Sequence, residues 1–397
     1  MTKKIWGDYN INPLVERYTK GTDNIVDGKL LAYDIHATKA HINMLMAIEI
    51  LTKKECNKLV EELDLLAQDL PQSFAIPEDF EDGHSFLESY LIEKTGNIAK
   101  KVHFLRSRND QSLVMLRLYM KDQLEIISQL IHILESSLSH AAKENSRYDM
   151  PGYTHMQKAM PTSVGEWLDS YAQALQDVSG FLISLRKMVD QNPLGSGSGF
   201  GFKGQAIVPE RQLTTDYLGF AQTQANPIYC GLSRGFFEMQ ILQVLEPVMI
   251  LASQFAADML LFTTSEYDYF SLPPDFLTGS SIMPQKHNYD LFEIMRGNGG
   301  LYTGYVAQIK SVISKKTSGY QRDLQLTKKP FIEGLELLTS TINVWTDSVD
   351  VIVVNKQKLD AAMSPDLYLT QKANDLVASG LPFRDAYLKV KKEYEEQ

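Results

Sequence analysis

Segment 278–288 concentrates chemically useful side chains. It reads TGSSIMPQKHN and combines the Ser280 hydroxyl, the Lys286 ammonium and the Asn288 amide within one short stretch. A glycine permits a backbone turn that a side chain would block, and a proline stops a helix. We therefore predict a shaped loop between helices that binds an anion such as a carboxylate. An ordinary polar loop is the alternative interpretation.

A second polar cluster precedes the first long predicted helix, where residues 103–111 read HFLRSRNDQ. Ser107, Arg108 and Asn109 would lie at a helix N-terminus, whose backbone N–H groups and dipole favour an anion. A guanidinium group adds paired donors that suit a carboxylate. The alternative role for this cluster is helix capping by Asn109 or Asp110.

Three further positions are candidates for chemistry or binding. His155 follows Thr154 in a turn between helices, where it would act as a general acid or base, or be an ordinary surface or core histidine. Glu293 follows the Ser280 loop and would either orient a histidine or complement a helix dipole. The charged run at 320–328 is either part of a binding site or a solvated face.

Composition restricts the class of protein. The chain has 397 residues, of which 44% are hydrophobic and 22% charged, as in globular proteins of two or three domains. A net charge of -10 without a basic block disfavours a nucleic-acid partner. The N-terminus lacks an apolar signal region, so we expect a cytoplasmic protein with Cys56 and Cys230 as reduced thiols. Segment 244–262 is apolar but contains charged residues, which predicts a core helix and no membrane partner.

Apolar residues recur every three or four positions in five long segments, which indicates long amphipathic helices. We interpret Pro247 as a kink in the third helix. The fourth contains several glycines, which weaken a helix and which we interpret as positions of close contact with another helix. Shorter helical regions are expected before about residue 100 and after about residue 355. The five long helices are predicted at 110–145, 164–189, 236–262, 290–313 and 329–353.

These clusters, in this order, resemble the fumarase/aspartase superfamily, and within it the argininosuccinate lyase branch. The Ser280 loop is similar to the superfamily signature Gly-Ser-Ser-x-Met-Pro-x-Lys-x-Asn. The likeness spans from about Trp6 to about Tyr387. The runs that indicate this branch are 81–85, 106–111, 151–155, 192–195 and 320–328.

The resemblance implies an all-α fold of three domains, at 1–100, 101–354 and 355–397, with a long central helical bundle and a shortened last domain. It implies a homotetramer whose active sites form where three subunits meet. The expected activity is cleavage of argininosuccinate to arginine and fumarate by β-elimination. The substrate is a small molecule, and the chemistry requires no cofactor and no metal.

The resemblance also implies residue roles. Ser280 would be the general base, His155 the general acid or its relay, and Glu293 the partner of His155. Lys286 and Asn288 would hold carboxylates and stabilise the aci-carboxylate intermediate. Asp27 would contact the guanidino end. The substrate-binding residues would be Asp27, Ser107, Arg108, Asn109, Thr154, Asn288, Tyr320, Gln325 and Lys328.

Several positions depart from the family pattern and leave other functions open. One alternative is a related carbon–nitrogen lyase that acts on another N-succinyl compound. The other is a catalytically silent, crystallin-like structural homologue, which the presence of His155 and Ser280 disfavours. The departures are at Phe104, Leu105, Ser233, Gly235, His287 and Tyr289.

Overall fold

The computed structural model describes residues 11–71 and 74–396, so the N-terminal segment with Trp6 lies outside the described residues. The described chain is mainly helical, which confirms the all-α fold class. Its contacts separate two compact units. Unit 1 extends to Ser128 and adds Phe181–Leu245 and Tyr302–Leu337; unit 2 comprises Gln129–Gly180, Glu246–Leu301 and Leu338–Gln397. The three-domain division stays a prediction.

Thirteen α-helices are described in residues 11–71 and 74–396. Short 3-10 helices connect several of them. The helices are α1 (Pro13–Lys20), α2 (Asp23–Ala47), α3 (Lys53–Asp69), α4 (Gly83–Thr95), α5 (Arg108–Glu144), α6 (Val164–Val189), α7 (Arg211–Tyr217), α8 (Pro227–Phe262), α9 (Asp290–Ile313), α10 (Lys328–Asp350), α11 (Lys356–Ala362), α12 (Leu369–Ala378) and α13 (Phe383–Glu395).

The strands are short and pair two by two. The longest pair, β1 with β2, forms an antiparallel hairpin in place of the simple turn that we expected between the first two long helices. The strands are β1 (Asp149–Thr154), β2 (Gln157–Ser163), β3 (Gln191–Asn192), β4 (Gln222–Thr223), β5 (Phe270–Ser271), β6 (Thr278–Gly279), β7 (His287–Asn288) and β8 (Val353–Val354).

Helix α8 differs from its prediction. It begins at Pro227, and its non-helical backbone angles occur at Arg234 and Gly235, whereas we expected the disturbance at Pro247. Gly235 has φ 77°, a conformation that costs an L side chain but not glycine. The Gly235 N–H donates to Glu238 Oε2 at 2.7 Å and so caps the second part of the helix.

The glycines of α9 have different surroundings. A Cβ added at Gly299 would lie 3.0 Å from Ser253 Cβ and 3.2 Å from the Met249 carbonyl oxygen, so α9 approaches α8 closely there. The predicted close contact is therefore found at Gly299. A Cβ added at Gly297, Gly300 or Gly304 would meet nothing within 4 Å. At these three glycines the predicted close contact with another helix is therefore not made within one chain.

Each unit has a core of its own. In unit 1, α2, α3 and α4 enclose aliphatic side chains and Cys56, and Cys56 and Cys230 are both buried and free, as expected. In unit 2, the Trp167 ring stacks on Phe255 and Phe270, at centroid distances of 5.5 and 5.2 Å. Aromatic packing of this kind fixes ring orientations as well as burying apolar area.

Among the described residues, only α8 is long and apolar enough to cross a membrane. Core helices of globular proteins share this length and apolar composition. Phe237, Leu245 and Phe255 of this helix are fully buried by neighbouring elements. That burial favours the predicted core helix.

Replacing Gly235 by alanine is expected to destabilise the protein by more than about 2 kcal/mol, because the left-handed backbone and a crowded neighbour both oppose a side chain. An added Cβ would lie 2.4 Å from Ile313 Cγ2. The measurement is the free energy of unfolding in urea. Gly231→Ala is the matched control, since nothing lies within 4 Å of its Cβ position; equal stabilities of the two variants would contradict this account.

Candidate active site

A polar cavity of about 120 Å³ lies in unit 1 and collects most of the predicted substrate-binding residues. Segments far apart in sequence supply its walls, namely the N-terminal parts of α2 and α5, the residues before α4, and the segment that leads into α10. Charged groups of both signs line it. The predicted residues that face it are Asp27, Arg108, Asn109, Tyr320, Gln325 and Lys328.

One end of the cavity is built around the Lys328 ammonium. Its Nζ donates to Asp27 Oδ1 at 2.5 Å and lies 3.1 Å from Asp23 Oδ1. Lys328 is only 4% exposed and Asp27 only 1%. The second Asp27 oxygen accepts from the Gly83 N–H at 3.1 Å. Both Asp27 oxygens therefore already have a partner, Lys328 for one and Gly83 for the other.

The pKa values at this end reflect burial and pairing. Burial raises the pKa of Asp23 to about 6, and the Lys328 ammonium only partly offsets this effect. Burial alone would lower the pKa of Lys328, but the carboxylates of Asp27 and Asp23 outweigh it and raise that pKa. Lys328 thus stays charged beside two acids, and this end attracts cations.

The other end of the cavity is built around the Arg108 guanidinium. Its Nη1 donates to Asp82 Oδ2 at 2.7 Å and to Glu81 Oε2 at 3.1 Å. Asp82 also caps α4, because its Oδ1 accepts from the Ser85 N–H and hydroxyl. Burial opposes ionisation of Asp82, yet His84 and Arg108 hold its pKa at about 2. Arg108 therefore lies between the carboxylates of Asp82 and Glu81.

The first turn of α5 is capped by Ser107, not by Asn109 or Asp110 alone. Ser107 Oγ accepts from the Asn109 N–H at 3.3 Å, and Asp110 Oδ1 accepts from the Ser107 N–H at 2.7 Å. The other Asp110 oxygen accepts from the N–H groups of Gly195 and Gly197. This arrangement fixes the glycine-rich segment after β3 to the start of α5, which positions Asn109 at the cavity.

The segment 320–328 contacts the end of α1. Tyr320 faces the cavity and is 40% exposed. The Gln325 side-chain amide donates to the Thr19 carbonyl at 2.7 Å, and Arg322 Nη2 donates to the same oxygen at 3.2 Å. This charged run is therefore part of a cavity wall and not only a solvated face.

Several cavity residues were missed as candidates. Asp23 lies four residues before Asp27, on the same face of α2, and this i, i+4 spacing was the available signal. His84 Nδ1 donates to the buried Asp34 Oδ2 at 2.6 Å; burial alone would lower its pKa, but Asp34 raises it. Arg234 Nη1 donates to Ser112 Oγ at 2.6 Å. No local sequence pattern predicts that Arg234 lies at the cavity.

In unit 2, His155 and Met156 form the two-residue turn of the β1–β2 hairpin. Both have positive φ, 53° and 60°, as in a type I′ turn. Histidine tolerates this conformation better than most residues, but for methionine it is an outlier, which often marks a functional site. His155 and Thr154 are exposed.

The Ser280 loop is closed at its base by β6 and β7, in which Gly279 pairs with His287. Ser280 Oγ accepts from the backbone N–H groups of Met283 at 3.1 Å and Ile282 at 3.4 Å. Such donors favour negative charge on this oxygen. The expected anion-binding loop thus has a defined local geometry, although most of it is exposed.

The remaining predicted catalytic groups, Lys286 and Glu293, are exposed in unit 2. The predicted substrate-binding residue Asn288 is half-buried, and its amide donates to the Gly279 carbonyl at 3.4 Å. Glu293 lies in the first turn of α9 and is exposed. Within the described part of one chain, no hydrogen bond or ion pair joins His155, Ser280 or Glu293 to one another.

Leu105 shows why the departure before Arg106 has structural consequences. Its φ is 60°, a conformation that favours glycine, and its side chain is buried. The neighbouring Phe104 is exposed, and its carbonyl lies 2.9 Å from His41 Nε2. Leu105 therefore combines an unfavourable backbone with an apolar anchor just before the Arg108 end of the cavity.

Comparison with known proteins gives a consistent result. Residues 11–303 match a family described as lyases. An argininosuccinate lyase from Sorangium cellulosum is 40% identical over 375 residues, covering 94% of this chain and 86% of that protein. One from Thermotoga neapolitana is 37% identical over 396 residues, covering 99% of each.

Solved structures share the fold at low sequence identity. A fumarate lyase:delta crystallin from Brucella melitensis, in its cobalt-bound form, has a TM-score of 0.79 at 15% identity, covering 98% of this chain and 89% of that chain. A class II fumarase from Schistosoma mansoni has a TM-score of 0.77 at 16%, covering 100% and 97%. EDDS lyase in complex with formate has a TM-score of 0.75 at 23%, covering 97% and 76%.

The raised pKa of Asp23 predicts a pH dependence of stability. Its pKa is about 6 in the folded state against 3.8 for the free group, so the folded state binds the proton more tightly. The contribution of Asp23 to stability then falls as pH rises from about 4 to about 6, by on the order of 2 kcal/mol. Urea unfolding across this range should show the decline in wild type and a smaller one in Asp23→Asn. The same decline in both proteins, with exposed Asp79→Asn as the control, would refute the assignment.

Met156→Gly is expected to stabilise unit 2 by about 1 kcal/mol, because it removes a left-handed methionine. The control is Met160→Gly, an exposed position within β2, where glycine should destabilise the strand. Thermal unfolding of the three proteins measures both changes. A loss of stability in Met156→Gly equal to that of the control would show that the turn stores no strain.

Proposed function

Because this chain belongs to the argininosuccinate lyase family, we propose that it cleaves argininosuccinate to arginine and fumarate. The observation that carries the proposal is the unit 1 cavity, which brings together six of the predicted substrate-binding residues. Its Lys328 end is rich in carboxylates and its other end presents Arg108. These two ends suit a substrate that bears both cationic groups and several carboxylates.

The reaction that we propose is a β-elimination. A base removes a proton from the carbon next to a succinyl carboxylate, and that carboxylate takes up the charge. The carbon–nitrogen bond then breaks to give fumarate, and the general acid protonates the leaving guanidino nitrogen. Ser280 is the proposed base, supported by the N–H groups of Met283 and Ile282 that point at its oxygen. A serine is a weak base unless its anion is stabilised. Lys286, with Asn288, would add charge stabilisation for the base and for the aci-carboxylate.

His155 is the proposed general acid or relay, with Glu293 as its partner and Thr154 beside it. His155 and Glu293 are exposed and lie on separate elements. Each would therefore meet its catalytic partner on another subunit. We propose a cytoplasmic homotetramer in which loops of different subunits complete each site. Large exposed apolar side chains support assembly; in unit 2 they include Ile133, Ile250, Ile294, Leu301 and Val344.

On the substrate side, we propose that Arg108, Asn109 and Ser107 position the succinyl half. Tyr320, Gln325 and Lys328 would bind the arginine half. Asp27 would act through Lys328, since its two oxygens are used by Lys328 and Gly83. No cofactor is proposed, because the elimination needs only proton transfer and charge stabilisation.

A second candidate is a lyase for a different N-succinyl compound. The observation that favours it is Leu105, whose strained and buried position precedes the Arg108 end of the cavity. Purified protein should be assayed for fumarate release with argininosuccinate and with other succinyl adducts. Release from another adduct, but not from argininosuccinate, would replace the leading proposal.

Ser280→Ala is expected to reduce fumarate release by at least about 10³-fold, because it removes the hydroxyl that accepts from the Ile282 and Met283 N–H groups. Tetramer formation, followed by light scattering, should remain unchanged. Ser281→Ala removes the adjacent exposed hydroxyl and serves as the control. Activity of Ser280→Ala close to that of the control would disprove the base assignment, whereas an inactive wild type would disprove the function itself.

A further inference from the structure

Two guanidinium groups at the cavity share one carboxylate. Glu81 Oε2 accepts from Arg108 Nη1 at 3.1 Å, and Glu81 Oε1 accepts from Arg322 Nη2 at 2.9 Å. The Glu81 side chain is 12% exposed, while that of Arg322 is 47% exposed. All three residues line the cavity. The two arginines therefore form a carboxylate-binding pair, and a side chain of the same unit occupies it.

The neighbouring acid has a different position. Asp82 is fixed as the N-cap of α4 through its contacts with Ser85, so it can hold Arg108 only while the helix start is intact. Glu81 precedes this N-cap residue and does not cap α4. Of the two acids on Arg108, Glu81 is thus the one whose displacement leaves the cap of α4 in place.

The guanidinium groups of this cluster are already paired. Glu81 and Asp82 oppose Arg108 and Arg322. An incoming carboxylate gains both guanidinium donors only by taking the place of the Glu81 carboxylate. Paired donors of this kind bind carboxylates strongly once they are free.

We propose that Glu81 is an intramolecular competitor for a carboxylate of the ligand. It occupies the Arg108–Arg322 pair in the empty enzyme, leaves when a ligand carboxylate enters, and returns when the dicarboxylate product departs. The inference rests on the proposed function only in assigning that carboxylate to the succinyl half of the substrate. Glu81 would lower the affinity for dicarboxylates and promote product release.

The test is direct binding of fumarate, and separately of succinate, to the purified full-length oligomer by isothermal titration calorimetry. Glu81→Gln keeps the side-chain length but removes the charge, so both ligands should bind about fivefold more tightly than to wild type, a change typical of a partly exposed ion pair. Glu78→Gln removes the same charge from an exposed position in the same segment and should leave the affinity unchanged.

A second variant keeps the inference testable should Glu81→Gln fold poorly. Arg322→Gln removes the more exposed guanidinium and should weaken binding of both dicarboxylates about fivefold, because the ligand loses one of two charged donors. Unchanged or weaker fumarate binding to a folded Glu81→Gln protein, or unchanged binding to Arg322→Gln, would overturn the proposal.

Kinetics separate competition from a structural role. If wild type releases fumarate from argininosuccinate, Glu81→Gln should lower the KM for argininosuccinate and make fumarate a stronger product inhibitor. A merely structural defect would lower kcat and leave both KM and the inhibition by fumarate unimproved. If wild type shows no such activity, the calorimetric measurements of fumarate and succinate binding still decide the role of Glu81. Failure of the proposed function and failure of this inference therefore give different results.

Discussion

The buried ion pair between Lys328 and Asp27 is the contact on which the cavity depends. It joins the start of α10 to α2, and the second Asp27 oxygen holds the backbone of Gly83 at the start of α4. Removal of one partner of a buried pair leaves an uncompensated charge, which typically costs about 3–5 kcal/mol. The Asp27 carboxylate thus holds together α2, the start of α4 and the start of α10, which are remote in sequence. The positions of both ends of the cavity depend on these contacts.

From Gly83 the same set of polar contacts continues to the other end of the cavity. Asp82 precedes Gly83, caps α4 and holds Arg108, the first residue of α5. Helix termini carry unpaired backbone groups, so they are natural places for such side chains. The cavity is formed largely from helix starts for this reason, and its charged groups serve folding as well as ligand binding.

The sequence was sufficient for the long helices because their signal is local. Apolar stripes at steps of three and four predicted 164–189 and 290–313, and α6 and α9 have these bounds. The hairpin β1–β2 was not predicted, since its turn uses His155 and Met156 in place of the usual Asn-Gly. The break in α8 was placed at Pro247, but a glycine with a capping Glu238 causes it.

The candidate site was predictable in residue type but not in pairing. Arg108 was predicted to bind an anion and Lys328 to bind the substrate. The structure gives each of them acidic partners, Glu81 and Asp82 for Arg108 and Asp23 and Asp27 for Lys328. Pairs across such sequence separations follow from tertiary packing, which no local pattern encodes. Glu81 was missed for that reason, whereas Asp23 was missed although its i, i+4 spacing to Asp27 is a local signal.

These pairings determine what a ligand can gain. Because the cations already have carboxylate partners, ligand binding exchanges one set of ion pairs for another, and only the difference appears as affinity. At the Lys328 end two carboxylates surround one ammonium, so this end retains attraction for a cation. At the Arg108 end the guanidinium groups already have carboxylate partners, so an anion competes with an acid for them. A molecule with a cationic half and a carboxylate half can bind at both ends of the cavity at once, whereas a simple dicarboxylate can bind only at the Arg108 end. An enzyme that cleaves such a molecule to a dicarboxylate would therefore release this product more readily than its substrate.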